Sequence, residues 1–220
     1  ANWMWPCKNK GEDARLYKAV ESVSKFAIEL GINIPTGKDS LSMNQKYENI
    51  EVKSPGTVIV SATAHCNNIS NIIEPVFKLD KGSIFYINLS SDDFKLGGSA
   101  FSQIIGNIGN NTPTINDSKY FVNVFETIQK MIKNNLITAG HDIGSGGFIT
   151  SVMEMCFSSK NIGANIDLSS LNENDTVKIL FSENCGIIIQ GKDDKIEKEL
   201  INSGIAAHKI GKVIKENKIN

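Results

Sequence analysis

Two hydrophobic periods alternate along this chain, and that alternation constrains the fold more than any single motif. Leu16, Ala19, Val20, Val23, Phe26, Ala27 and Leu30 keep the spacing of one helical face from Gly11 to a stop at Gly31. A second stripe of Phe121, Val124, Phe125, Ile128, Met131 and Ile132 predicts a helix over 117–135, and Ile149, Val152, Met153 and Cys156 mark a third beginning at Gly147. Shorter helices are expected over 176–181 and 192–203. Between them, β-branched or alternating runs predict strands over 57–66, 84–89, 164–168, 185–190 and 208–214. A chain that switches period this often folds as α/β or α+β, with a sheet covered by helices.

The polar stretch Asn67-Asn68-Ile69-Ser70-Asn71 interrupts the pattern and reads as a boundary between a segment 1–70 and a domain 71–220. Ala1 to Trp5 reads as the tail of a strand whose beginning lies elsewhere. Lysine and arginine number 23 against 24 acids, and the lysines are scattered, which excludes a nucleic-acid partner. No apolar run reaches the roughly 20 residues of a membrane span. Cys7, Cys66, Cys156 and Cys185 stand apart without a CxxC pair, which predicts reduced thiols, no zinc site and a cytoplasmic protein.

His141-Asp142-Ile143-Gly144-Ser145-Gly146-Gly147 is the densest chemistry in the chain. Its glycines let backbone N–H groups approach a ligand, its aspartate suits a hard cation, and the helix that follows turns its positive end toward the same place. The same residues also serve as a tight turn in which Asp142 or Ser145 caps the helix.

Two further loops invite comparison. Gly37-Lys38-Asp39-Ser40 is not a Walker A motif, because five residues separate Gly31 from Gly37 and Asp39 stands where the magnesium-binding hydroxyl belongs. Lys38 still suits a phosphate or carboxylate contact at the end of a strand, or an exposed turn. Leu96-Gly97-Gly98-Ser99-Ala100 lies between a strand and a helix, and reads as a phosphate cradle or a loop closed by a serine cap. Glu183, in Ser182-Glu183-Asn184, reads as a turn acid.

With these residues in view, the chain resembles the phosphoribosylformylglycinamidine synthases. The resemblance rests on Asn2-Trp3-Met4, the run Gly11 to Tyr17, Ile34 to Met43, Leu96 to Ala100, His141-Asp142 with Gly146-Gly147, and Leu180-Phe181-Ser182-Glu183, in the family's order across nearly the whole chain. It implies a fragment of a longer polypeptide. Residues 1–70 would be the truncated end of an aminoimidazole-ribonucleotide (AIR) synthetase-like N-terminal domain, and 71–220 the C-terminal domain of the second repeat, with a mixed β-sheet under helices. The first repeat and the glutaminase domain would be its partners within the same polypeptide.

The resemblance also implies the chemistry. In the family, ATP phosphorylates the amide oxygen of formylglycinamide ribonucleotide, and ammonia from glutamine displaces the phosphate, with Mg²⁺ neutralising the polyphosphate. Asp142 matches a magnesium ligand and Gly144 a nucleotide-contacting position. Lys38, Asp39, Ser40, Gly97, Gly98 and Ser99 are the substrate or phosphate candidates. Family members usually carry a serine at position 144 and an aspartate at 145, so Gly144 and Ser145 remove a hydroxyl and a charge. The remaining metal ligands belong to segments before Ala1, so the isolated fragment is expected to be inactive. Two other readings share the pattern: a repeat whose nucleotide is only structural, and an aminoimidazole ribonucleotide synthetase, the cyclo-ligase, against which the run Gly37 to Met43 speaks.

Overall fold

A computed structural model describes residues 1–220, which divide into two compact units, Ala1–Asn67 and Asn68–Asn220. In the first, β1 (Asn2–Met4) is the middle strand of a small sheet, parallel to β2 (Lys38–Ser40) and antiparallel to β5 (Thr57–Ile59). The long helix α1 (Glu12–Glu29) joins β1 to β2, and β3 (Asn44–Lys46) pairs with β4 (Glu51–Lys53) as a hairpin. Helix α1 starts one residue after Gly11, as its periodicity predicts, with Glu12 and Asp13 in the first turn where the helix dipole favours acids.

Two expectations are corrected in this unit. The strand expected over 57–66 stops at Ile59, because its partner β1 offers only three residues to pair with; His65, expected beside a core or interface, is exposed along with the rest of 60–66. The apolar stripe of α1 contains no buried residue. Packing in the unit centres on Trp5, 5% exposed, with the Arg15 guanidinium 5.7 Å above its ring and Gly56 so close that a Cβ there would meet the indole at 2.5 Å.

The second unit is a sheet between two helical layers. Its strands are β6 (Ser83–Asn88), β7 (Ile137–Asp142), β8 (Gly163–Ile166), β9 (Gly186–Gly191) and β10 (His208–Ile214), ordered β7-β9-β6-β10-β8. All four pairings between these strands are antiparallel, and an isolated parallel bridge joins Ala164 of β8 to Ile219. Central β6 reads as a continuous apolar run because both of its faces are covered. Ile84 and Tyr86 pack with Phe148, Val152 and Met155 of α4 (Gly147–Phe157) and Ile179 of α5 (Thr176–Phe181). Phe85 and Ile87 pack on the opposite face with Val124, Ile128 and Met131 of α3 (Ser118–Lys133) and Ile196 and Leu200 of α6 (Asp193–Asn202). Each such side chain, removed from water, contributes about 1.5–3 kcal/mol.

Helix faces differ from the predicted stripes at single positions. Phe125 is 51% exposed although Val124, Ile128 and Met131 are buried, and in α4 Met155 turns inward while Met153 is 40% exposed. Asp117 caps α3 by accepting from the Lys119 and Tyr120 N–H groups. The remaining helix, α2 (Ala100–Ile104), is one short turn capped by Ser99.

Candidate functional site

His141 and Asp142 are the last two residues of β7, paired with Ile188 and Ile187 of β9. The turn expected around them therefore begins only at Ile143, and the strand ladder fixes both residues from behind. The Asp142 side chain is 87% exposed. The His141 ring lies between oxygens: Nδ1 is 2.7 Å from the Asp142 carbonyl and Nε2 is 3.1 Å from a Glu154 carboxylate oxygen. Ser151 Oγ donates to the Asp142 carbonyl at 3.0 Å, tying α4 back to the strand end.

The turn itself depends on two glycines. Gly146 and Gly147 have φ of 89° and 75°, and a Cβ on Gly147 would come within 2.8 Å of the Leu180 carbonyl oxygen. Gly144 differs: it has no left-handed φ, and a Cβ there would meet nothing within 4 Å.

Glu183 joins this turn to a second one. Its Oε1 accepts from Gly146 N–H at 2.8 Å and from Ala100 N–H at 2.8 Å. Beside Ala100, Ser99 is buried, donates to the Leu96 carbonyl at 2.7 Å and accepts from Ser102 N–H at 3.2 Å. Gly97 is needed because a Cβ would meet the Asn111 backbone at 2.5 Å. Next to Glu183, the buried Asn184 accepts from Lys95 N–H at 3.1 Å and donates to the Asp93 carbonyl at 2.9 Å, pinning the loop before α2. The Phe101 and Phe181 rings stack at 4.8 Å across the same junction.

Glu183 thus links the end of the 97–100 loop to the turn that follows Asp142, through the Ala100 and Gly146 amides. Sequence reasoning treated Glu183 and Asn184 as incidental. The available signal was a Ser-Glu-Asn run directly before a buried strand, in a chain with two glycine turns whose N–H groups need acceptors.

Along α3, a largely apolar cavity of about 470 Å³ is lined by Phe121, Phe125, Ile128, Gly140, Asp142 and Cys185 among others. Burial, and secondarily the Asp142 carboxylate, push the Cys185 thiol pKa up, so it is held neutral rather than poised as a nucleophile. A smaller polar cavity of about 170 Å³ lies on the opposite face of β6, beside Asp92 and Tyr86. Burial opposes ionisation of Asp92, but hydrogen bonds from Lys95, Thr114 and Asn116 outweigh it and lower its pKa.

Lys38, Asp39 and Ser40 belong to the first unit and form β2. Lys38 and Asp39 are exposed, and the Lys38 amine donates to the Ser40 hydroxyl.

No group of three or more His, Cys, Asp or Glu side chains is placed to hold a metal ion. Asp142 fits Mg²⁺ as one exposed carboxylate ligand of an ion that takes its other ligands from phosphates, waters or further carboxylates. The four cysteines are free thiols, and no helix is long and apolar enough to cross a membrane.

Sheet, helices and glycine turns define the class. The C-terminal domain of AIR synthase related proteins matches residues 87–220, and the FGAR-AT PurM_N-like domain matches residues 1–65. The chain belongs to the AIR synthase related family.

Among individual proteins, it is 41% identical over 191 residues to a probable phosphoribosylformylglycinamidine synthase, chloroplastic/mitochondrial, of Arabidopsis thaliana, covering 86% of this chain and 13% of that protein. It is 37% identical over 225 residues to a probable phosphoribosylformylglycinamidine synthase of Caenorhabditis elegans, covering 96% of this chain and 17% of that one. The chain therefore spans less than a fifth of the length of these relatives. The T. maritima PurL structures complexed with FGAR and with ATP share its fold, with TM-scores of 0.67 and 0.61, identities of 14% and 11%, and coverage of 97% and 100% of this chain and 35% and 34% of theirs.

Proposed function

We propose that this chain works as part of a phosphoribosylformylglycinamidine synthase, a ligase of purine biosynthesis that converts formylglycinamide ribonucleotide to formylglycinamidine ribonucleotide with ATP and glutamine. The observation that carries this reading is the pair of domain matches in sequence order, together with 37–41% identity to named synthases over 86–96% of the chain. Residues 1–70 are then the end of one AIR-synthetase-like N-terminal domain and 71–220 a C-terminal domain. The first repeat and the glutaminase domain belong to the same polypeptide. The cytoplasm is the compartment that four free thiols favour.

Asp142 is the proposed Mg²⁺ ligand, supported by its exposure at a rigid strand end. When bound, Mg²⁺ would neutralise polyphosphate charge. Gly144 offers a nucleotide a backbone contact on a surface no side chain obstructs. The apolar cavity lined by Asp142 suits a planar base, being walled by Phe121, Phe125, Ile128 and Ile132 with His141 and Asp142 among its polar groups. Lys38, Asp39 and Ser40 are the proposed substrate or phosphate contacts of the first unit, and Gly97, Gly98 and Ser99 those of the second.

The test is the longer polypeptide encoded by the gene, assayed for glutamine- and ATP-dependent formation of formylglycinamidine ribonucleotide. Product formation that stops when the segment equivalent to 1–220 is deleted is expected. Absence of that activity from the soluble whole protein overturns the reading.

A second reading is that the nucleotide bound here is never turned over. It is favoured by Gly144 and Ser145, which lack the family's hydroxyl and charge. Labelled nucleotide retained through many turnovers supports it, and exchange at the rate of turnover refutes it.

A further inference from the structure

We propose that the two glycine turns, 97–100 and 144–147, form a single anion cradle whose anion is the protein's own Glu183. One carboxylate oxygen, Oε1, receives an N–H from each turn at 2.8 Å, the partner set that a phosphate or a free carboxylate would use. Helix α4 has eleven residues, no side-chain cap at Gly146 and no acid in its first turn, so its positive end has no other negative group of its own. Glu183 supplies that charge from a distant strand junction. Its backbone is held in place by Asn184, whose side chain bonds Lys95 N–H and the Asp93 carbonyl. The carboxylate is thus a resident ligand fixed from the side opposite the turns.

This assignment rests on the nucleotide reading only in its consequence. With the cradle filled, the Ala100 and Gly146 amides are engaged, so a nucleotide polyphosphate is left Asp142 and Gly144, and Gly97 to Ser99 are left to the substrate. Glu183 then acts as a positioning residue, because it sets the distance between the turn after Asp142 and the loop that opens α2.

The test is anion rescue in the 220-residue chain. Thermal unfolding of wild type and Glu183→Ala is followed against formate, acetate and inorganic phosphate, with chloride at equal ionic strength as control. Amide NMR shifts of Ala100 and Gly146 are recorded in the same titrations. The expected result is that Glu183→Ala unfolds at lower temperature, regains about 2–4 °C with the oxyanions but not with chloride, and shows both amides moving together and saturably. Wild type shows neither effect. Saturable movement of these amides in wild type would mean that the cradle is open, and an insensitive Glu183→Ala would mean that no cradle exists; either overturns the proposal.

Should Glu183→Ala fail to fold, Glu183→Gln keeps an acceptor oxygen without the charge. The Ala100 and Gly146 amides then shift together relative to wild type, whereas displacement of one alone contradicts a shared ligand. Failure of Mg-ATP to bind leaves this assignment intact, and failure of rescue leaves the nucleotide reading intact.

Discussion

Gly147 and Leu180 lie in backbone contact: a Cβ on Gly147 would stand 2.8 Å from the Leu180 carbonyl oxygen. The start of α4 and the end of α5 therefore approach more closely than any side chain at position 147 allows. Gly147→Ala also places a side chain at a φ of 75°. We expect it to lower stability by at least about 2 kcal/mol, read as a drop in the urea midpoint at unchanged slope. An unaffected midpoint would show that the contact relaxes freely.

Gly144 is the opposite case. A Cβ there would meet nothing within 4 Å and its φ is not left-handed, so Gly144→Ser, which restores the residue expected from the family resemblance, should change stability by less than about 0.5 kcal/mol. In the longer polypeptide the added hydroxyl should tighten Mg-ATP binding if position 144 touches nucleotide. Isothermal titration of both forms checks this.

Asp193 gives the second unit an acid-sensitive link. Burial opposes its ionisation, but hydrogen bonds from Lys209 and Ser83 prevail and hold its carboxyl below the ordinary value, while Asp193 in turn raises the Lys209 pKa. A lowered carboxyl pKa stabilises the folded state above the unfolded value, near pH 4, and that contribution fades as pH falls through the folded value; the raised lysine loses its contribution only above roughly pH 10. The stability difference between wild type and Asp193→Asn should therefore be level between about pH 5 and 9 and shrink below about pH 4. Urea midpoints across pH test it, and a difference that persists at pH 2 would refute it.

Mg-ATP should bind the isolated 220-residue chain only weakly, because no group of three or more His, Cys, Asp or Glu side chains is placed to hold the ion and Asp142 is its single proposed ligand. Calorimetric saturation in the low micromolar range would contradict this.

Much of the second unit was legible because both sheet faces are covered. The alternating partners of Ile84 to Ile87 make β6 an unmistakable apolar run, and α3 shows its stripe because Val124, Ile128 and Met131 meet the sheet. The strand over 57–66 misled because propensity says nothing of a partner, and β1 is only three residues long. Phe125 and Met153 misled because a period fixes a stripe more sharply than its edges. The Asp142 and Gly146–Gly147 motif was visible as local chemistry. Glu183 was not, since its partners, Ala100 and Gly146, are backbone amides far along the chain that carry no side-chain signature.

Asp142 is 87% exposed at the end of a paired strand, so its side chain can be changed without disturbing the fold. Steady-state turnover and unfolding temperature of Asp142→Asn in the longer polypeptide measure its role most directly. We expect turnover to fall by roughly a hundredfold or more while the unfolding temperature stays within about 2 °C of wild type. Undiminished turnover per molecule with a clearly lowered unfolding temperature would contradict a catalytic metal ligand and leave Asp142 holding a structural nucleotide.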